Sequence, residues 1–247
     1  MSKKNNRYLH SYYENREMSE KEKLEQQKHP DQRCPLCHQP DIHHFSRDRE
    51  RDYLSCQTCH LIFVPSEQCV SADDEKARYD LHNNQPDDPD YRAFLGRMFL
   101  PMQHRLKAES FGLDFGSGPG PTLSVMFEEA GHRMTIYDHF YAPALSIFEK
   151  SYDFITATEV VEHLHRPGFE LERLWSRLNP DGILGVMTQL VPESIPFTDW
   201  YYLKDPTHVC FFSEWTCEWL AEHWQAQLTF SGKTVMLFHK GPAKNVV

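Results

Sequence analysis

Long apolar runs are missing from this 247-residue chain, and so is any excess of positive charge. No stretch is apolar enough to span a bilayer, and the opening residues MSKKNNRYLH lack the apolar core of a secretory leader. The sequence therefore predicts a cytoplasmic protein. Asp and Glu number 36 against 26 Lys and Arg, a formal charge of −10, which argues against a bulk electrostatic grip on nucleic acid. The first 66 residues are nearly balanced, so docking of RNA or protein there stays open. No internal repeat is present, and the length suits one sizeable domain with a small satellite. The seven cysteines include two C-x-x-C pairs, which suit metal ligation in a reducing compartment better than a disulfide framework.

Glycine is scarce as well: eleven in the whole chain, three of them within the nine residues LDFGSGPGP at 113–121. Phe111, Leu113 and Phe115 read as a short strand, and Thr122 to Ala130 as a helix. A glycine-rich turn between them lets a nucleotide-type ligand approach the backbone, because Gly116, Gly118 and Gly120 carry no Cβ. A pyrophosphate site wants G-x-G-x-x-G, whereas here the third glycine comes one residue early. Asp114 at the strand end would repel a pyrophosphate and attract a cationic sulfonium with its α-amino group. A nicotinamide oxidoreductase is disfavoured on both counts.

This D-x-G-x-G-x-G pattern resembles the first motif of class I S-adenosylmethionine-dependent methyltransferases. The resemblance implies an α/β Rossmann-like sheet, S-adenosylmethionine as cofactor, Asp114 near the methionine amino group, and Gly116, Ser117, Gly118 and Gly120 beneath the ligand. His132 to Tyr137 reads as the next strand, and Asp138 follows it, placed to accept hydrogen bonds from both ribose hydroxyls. Only fourteen residues separate Asp138 from Asp153, too few for the family's usual helix and third strand, so that region of the sheet should be reduced.

Cys34, Cys37, Cys56 and Cys59 give C-x2-C-x18-C-x2-C, the spacing of two knuckles converging on one tetrahedral Zn²⁺. Four thiolates close the coordination sphere, so the zinc should be structural. His38, His43, His44 and His60 are read as exposed ribbon histidines, and Cys69, Cys210 and Cys217 as small apolar side chains. The expected division is a polar tail over 1–30, helical or disordered, a zinc ribbon over 31–66, a helical connector or lid over 67–106, and a methyltransferase domain over 107–247. Tyr79 and His82 are the residues singled out there, as lid residues or as packing of the connector.

Within the domain, DFITATE is the fourth strand of the family pattern, and Glu159 to His165 starts a helical segment. A helix follows over Pro167 to Leu178, then a turn at Asn179 to Gly182, a strand over Ile183 to Thr188, a helix near 213–223 and a hairpin around Ser231-Gly232. On a helix Glu159, Glu162 and His163 share a face, and His208 could join them across the cleft. This E-x-x-E-H with a later histidine resembles metal-dependent O-methyltransferases, which implies Mg²⁺ or Mn²⁺ on substrate hydroxyls. A metal-free acid-base role and a purely structural one remain open beside it. Phe197, Trp200, Tyr201 and Tyr202 are read evenly as acceptor-pocket or packing residues. The function expected is methyl transfer to an oxygen or nitrogen acceptor of unidentified class. The alternative is a ribbon adaptor for RNA or protein carrying an inactive methyltransferase-like domain.

Overall fold

The computed structural model describes residues 32–81 and 85–243. The expected tail over 1–30 and His82 lie outside the described residues. Among those residues no helix is long and apolar enough to cross a membrane.

The N-terminal unit consists of β1 (Ile42–Arg47), β2 (Asp52–Cys56) and β3 (Ile62–Phe63), paired antiparallel in that order. Each C-x-x-C pair sits in a tight turn whose next residue, His38 or His60, adopts φ near +60°. His38 N donates to Cys34 O, and His60 N to Cys56 O. These two knuckles bring the four sulfurs within 4.8 Å of one another, the clustering a tetrahedral Zn–S₄ centre requires.

The main sheet has six strands in the order β5, β4, β6, β7, β10, β9. Its members are β4 (Phe111–Phe115), β5 (Arg133–Tyr137), β6 (Tyr152–Thr158), β7 (Leu178–Met187), β9 (Gln227–Ser231) and β10 (Val235–His239). The first four in spatial order run parallel, and β10 and β9 form the antiparallel hairpin the sequence predicts. Between Asp138 and β6 there is a short 3-10 helix, Leu145–Glu149, and no strand, so β5 is the edge. This is the reduced third-strand region expected from the short spacing. The predicted turn at Asn179 to Gly182 lies inside β7 as an irregularity, between the pairs Tyr152–Leu178 and Phe154–Ile183.

Alternation along the strands feeds two cores. Phe154, Ile183, Val235 and Leu237 face α2 (Pro89–Gln103) and α3 (Thr122–Glu129), meeting Leu95, Met98, Met102, Leu123 and Phe127. Gly185 permits this contact, because a Cβ there would stand 2.6 Å from Met102 Cε. Thus α2, expected in a connector, is part of the sheet's cover. Ile155, Ala157, Leu184, Val186, Met236 and Phe238 face α4 (Pro167–Arg177) and α5 (Glu214–Trp224). Leu171 and Leu174 of α4 are fully buried there, each worth about 1.5–3 kcal/mol of burial.

The ribbon joins this second core. Strand β8 (Cys210–Phe211) pairs with β3 and completes the ribbon's own sheet. Val64 N donates to Val209 O at 2.9 Å, and Gly168 N to Pro35 O at 3.1 Å. Phe197 lies edge-on to Phe45, Tyr53 and Phe211 with Trp200 buried alongside, so these two are packing residues of the junction, while the buried Tyr202 packs against His208. Tyr201 is exposed. Cys210 and Cys217 are buried and Cys69 half-buried, as small apolar residues should be.

Candidate active site

The turn after β4 works as its glycines predict. Gly116 and Gly118 have φ of +78° and +64°, a region open to them for want of a Cβ. A Cβ on Gly116 would also strike Val160 Cγ2 at 2.3 Å, so the turns after β4 and β6 touch through that missing atom. Gly116 N and Ser117 N donate to Tyr137 O, which ties the turn to the end of β5. Asp138 then binds the two loops together: Oδ2 accepts from Gly118 N at 2.9 Å, and Oδ1 from the Phe140 and Tyr141 amides at 2.8 and 3.0 Å.

Gly116, Ser117, Gly118, Pro119 and Asp138 form one wall of a cleft of about 750 Å³. Gly120 stands back from it, its carbonyl accepting from Thr122 N at the start of α3. Asp114 also lies behind the wall. It is 4% exposed, with Oδ1 accepting from Thr156 Oγ at 2.9 Å and Oδ2 from Ser124 Oγ at 3.3 Å. Burial pushes its carboxyl up to about 6 against those two bonds, with Asp138 adding to the rise.

The opposite wall carries His163, His165 and His208, and Glu159 also lines the cleft. Of the four residues expected to converge, three do: ligand atoms of Glu162, His163 and His208 lie within 4.8 Å of one another. Glu159 stands apart because the segment after β6 is a turn with a 3-10 stretch over Val161–His163, not an α-helix. Glu159 itself has φ +52°, a left-handed conformation costing a non-glycine residue about 1–2 kcal/mol. Burial, reinforced by the neighbouring Glu162, pushes its carboxyl up to about 8.

Both imidazoles are held the same way. His163 Nδ1 lies 3.2 Å from Thr207 O, and His208 Nδ1 lies 2.8 Å from Tyr202 O. A carbonyl only accepts, so Nδ1 carries the proton and each Nε2 presents a lone pair. Burial, aided by the neighbouring His208, lowers His163 to about 4, and burial also lowers His208. Glu162 is fully buried; Tyr202 Oη donates to its Oε1, while Oε2 has no hydrogen-bond partner.

A third group covers the cleft. Helix α1 (Ala72–Tyr79) brings Tyr79 edge-on to His163, ring centres 5.2 Å apart, and against Phe140 of the opposite wall. Tyr79 Oη donates to Glu75 Oε1 at 2.7 Å, and Glu75 Oε2 lies 3.7 Å from His165 Nε2. Sequence reasoning singled out Tyr79 but missed Glu75 and His165, which no local motif marks.

The family model of a methyltransferase domain matches residues 87–229, more than half the chain and including α2. The chain belongs to the methyltransferase-domain family. No curated protein sequence matches it. This methyltransferase-domain chain is similar in fold to an O-methyltransferase family protein of Burkholderia thailandensis, at 13% identity and TM-score 0.46, over 69% of this chain and 64% of that one. It is also similar to an S-adenosylmethionine-dependent methyltransferase of Aquifex aeolicus, at 19% identity and TM-score 0.42, over 62% and 93%. A third is the N-methyltransferase NodS of Bradyrhizobium japonicum, at 16% identity and TM-score 0.44, over 63% and 99%. The chain spans 64% of the Burkholderia protein and 55% and 50% of two further methyltransferases.

Proposed function

We propose that this chain transfers the methyl group of S-adenosylmethionine to an oxygen or nitrogen acceptor, and that the ribbon cysteines hold a structural zinc. One observation carries the reading. The glycine turn and Asp138 on one wall face two neutral imidazoles on the other wall of the same cleft. Gly116, Ser117 and Gly118 would lie under the cofactor, and Asp138 retains lone pairs for a ribose hydroxyl. Asp114 would act on the cofactor's ammonium through its charge from behind the wall.

Methyl transfer asks for alignment, exclusion of water and a place for the acceptor's proton. An acceptor hydroxyl or amine beside His163 or His208 would lose its proton to Nε2 while its lone pair forms the bond to the methyl carbon and the carbon–sulfur bond breaks. Histidine held neutral by burial is the form that can accept. Helix α1 would exclude water over this step through Tyr79.

A second reading rests on Glu162, whose buried Oε2 has no hydrogen-bond partner and which shares a cluster of ligand atoms within 4.8 Å with His163 and His208. That donor set fits a divalent ion, and its two nitrogens favour Mn²⁺ or a similar transition ion over Mg²⁺. The ion would supply Lewis acidity toward an acceptor hydroxyl. The adaptor reading is not favoured, because the ribbon spends the β3 edge on β8 and its buried Arg51 on the carbonyls of Leu203, Pro206 and His208.

Calorimetric titration with S-adenosylmethionine and with reduced nicotinamide tests the cofactor. Saturable binding of the first alone, lost in Gly118→Arg, is expected; no heat from S-adenosylmethionine with the intact chain overturns the proposal.

A further inference from the structure

The turn Leu203–His208 decides the geometry of the histidine pair, and its support comes from the ribbon. Both tautomers depend on it: Thr207 O accepts from His163 Nδ1–H, and His208, the turn's last residue, folds back so that its Nδ1–H donates to Tyr202 O just before the turn. The carbonyls that remain point the other way, toward the β1–β2 turn. There Arg51, only 7% exposed, donates from Nη1 to Pro206 O at 3.1 Å and His208 O at 2.9 Å, and from Nη2 to Leu203 O at 2.6 Å. Among the described residues no carboxylate oxygen bonds this guanidinium. Its backbone N–H donates to Asp48 Oδ1, and Tyr53 lies 5.5 Å beneath its face.

A buried cation bonded to the carbonyls of one turn, with the charge of Asp48 nearby, is a costly device when a ribbon could be docked by apolar contact. Its chemistry suits one task. A planar fork of donors reaches four carbonyls of one turn at once, Asp205 O at 3.5 Å being the fourth, which a lysine ammonium on a flexible stem cannot reproduce. The adjoining chain carries the same link onward, since Val209 N donates to Glu162 O at 2.8 Å. From the solvent side the turn is held by Arg78 of α1, whose Nε donates to Asp205 Oδ2 at 2.8 Å. That pair is partly exposed, so solvent weakens it.

We propose that Arg51 is a positioning residue for the acceptor side of the cleft: through the 203–208 turn it sets the tautomer and aim of His163 and His208. The ribbon is thereby a brace of the active site. The inference rests on the reading that these histidines serve the acceptor, and its tautomer readout needs no acceptor.

Histidine-¹⁵N-labelled full-length protein, observed by long-range ¹H–¹⁵N correlation at neutral pH, should show two Nδ1–H tautomers, assigned with His163→Gln and His208→Gln. In Arg51→Met both should drift toward mixed tautomers, while S-adenosylhomocysteine affinity stays within about twofold of the wild type. Arg51→Gln, which keeps two donors, should fall between and serves should the methionine variant not fold. Arg78→Met should leave both signals in place. Unchanged tautomers in Arg51→Met or Arg51→Gln overturn the proposal, as does an equal effect of Arg78→Met. Loss of S-adenosylhomocysteine binding together with the tautomers would mark a global defect and also overturn it. Intact tautomers with no cofactor binding by the wild type would instead sink the methyltransferase reading.

Discussion

The two walls of the cleft are built on opposite plans. The cofactor wall is nearly continuous chain, β4 through Tyr141, closed by backbone bonds such as Gly116 N to Tyr137 O and by the single carboxylate of Asp138. The histidine wall is gathered from the ribbon, α1, the turn after β6 and the 203–208 turn, and it stands on side chains reaching carbonyls far along the sequence. Arg51 and His208 are 157 residues apart. A wall of the first kind survives damage elsewhere; a wall of the second kind inherits every weakness of its supports.

The largest expected effect breaks the second wall through the ribbon. Structural zinc contributes about 10 kcal/mol or more to small four-ligand modules, so Cys56→Ser with Cys59→Ser should remove bound zinc by elemental analysis. The melting midpoint should fall by more than about 10 °C, with heightened amide exchange across 203–211 before β4 and β5 respond. Uniform exchange throughout would erase the contrast between the walls. Next comes a blow to the first wall alone. Gly118→Arg sets a side chain on a φ of +64° and in the cleft, and should weaken S-adenosylmethionine at least about 10³-fold, some 4 kcal/mol. The histidine tautomers should stay as they are. Third, His163→Ala or His208→Ala should slow methyl transfer in a labelled-cofactor extract assay by about 10²-fold or more, with cofactor affinity nearly constant. Equal losses of affinity and turnover would show that the walls are not separable.

That contrast also explains what could be read in advance. The glycine turn, the strand before it, Asp138 and the hairpin are local, each set by a period, a missing Cβ or a turn within a few residues. The missing third strand followed from a count. The helical face through Glu159, Glu162 and His163 failed because the chain turns at Glu159, whose positive φ nothing in the residue type announces. Glu162 and His163 still meet His208, but through a turn supported by an arginine in another module. Asp114 illustrates a subtler limit: its position beside the cofactor motif was legible, whereas its burial behind Ser124 and Thr156 depends on α3 and β6 closing over it.

Asp114 also provides the finest test of the cofactor wall. Its carboxyl has an ordinary value of 3.8 and is pushed to about 6 in the fold, chiefly by burial, with the charge of Asp138 assisting. The native state therefore keeps this proton in a range where the unfolded chain has released it. The stability so gained is complete below 3.8 and is lost as pH rises through about 6, at most about 3 kcal/mol from 1.36 kcal/mol per unit. Asp114→Asn stays neutral at every pH and can keep a bond to Thr156 or Ser124. Free of cofactor, the variant should match the wild type near pH 4 and exceed it at pH 7.5 by one to a few degrees of melting midpoint. In calorimetry it should lose cofactor affinity by less than Gly118→Arg does, because a charge behind the wall acts at a distance through a partly polar layer. A loss as large as that of Gly118→Arg would move Asp114 from behind the wall into direct contact with the ligand, and a stability difference independent of pH would show that its carboxyl is ionised in the fold.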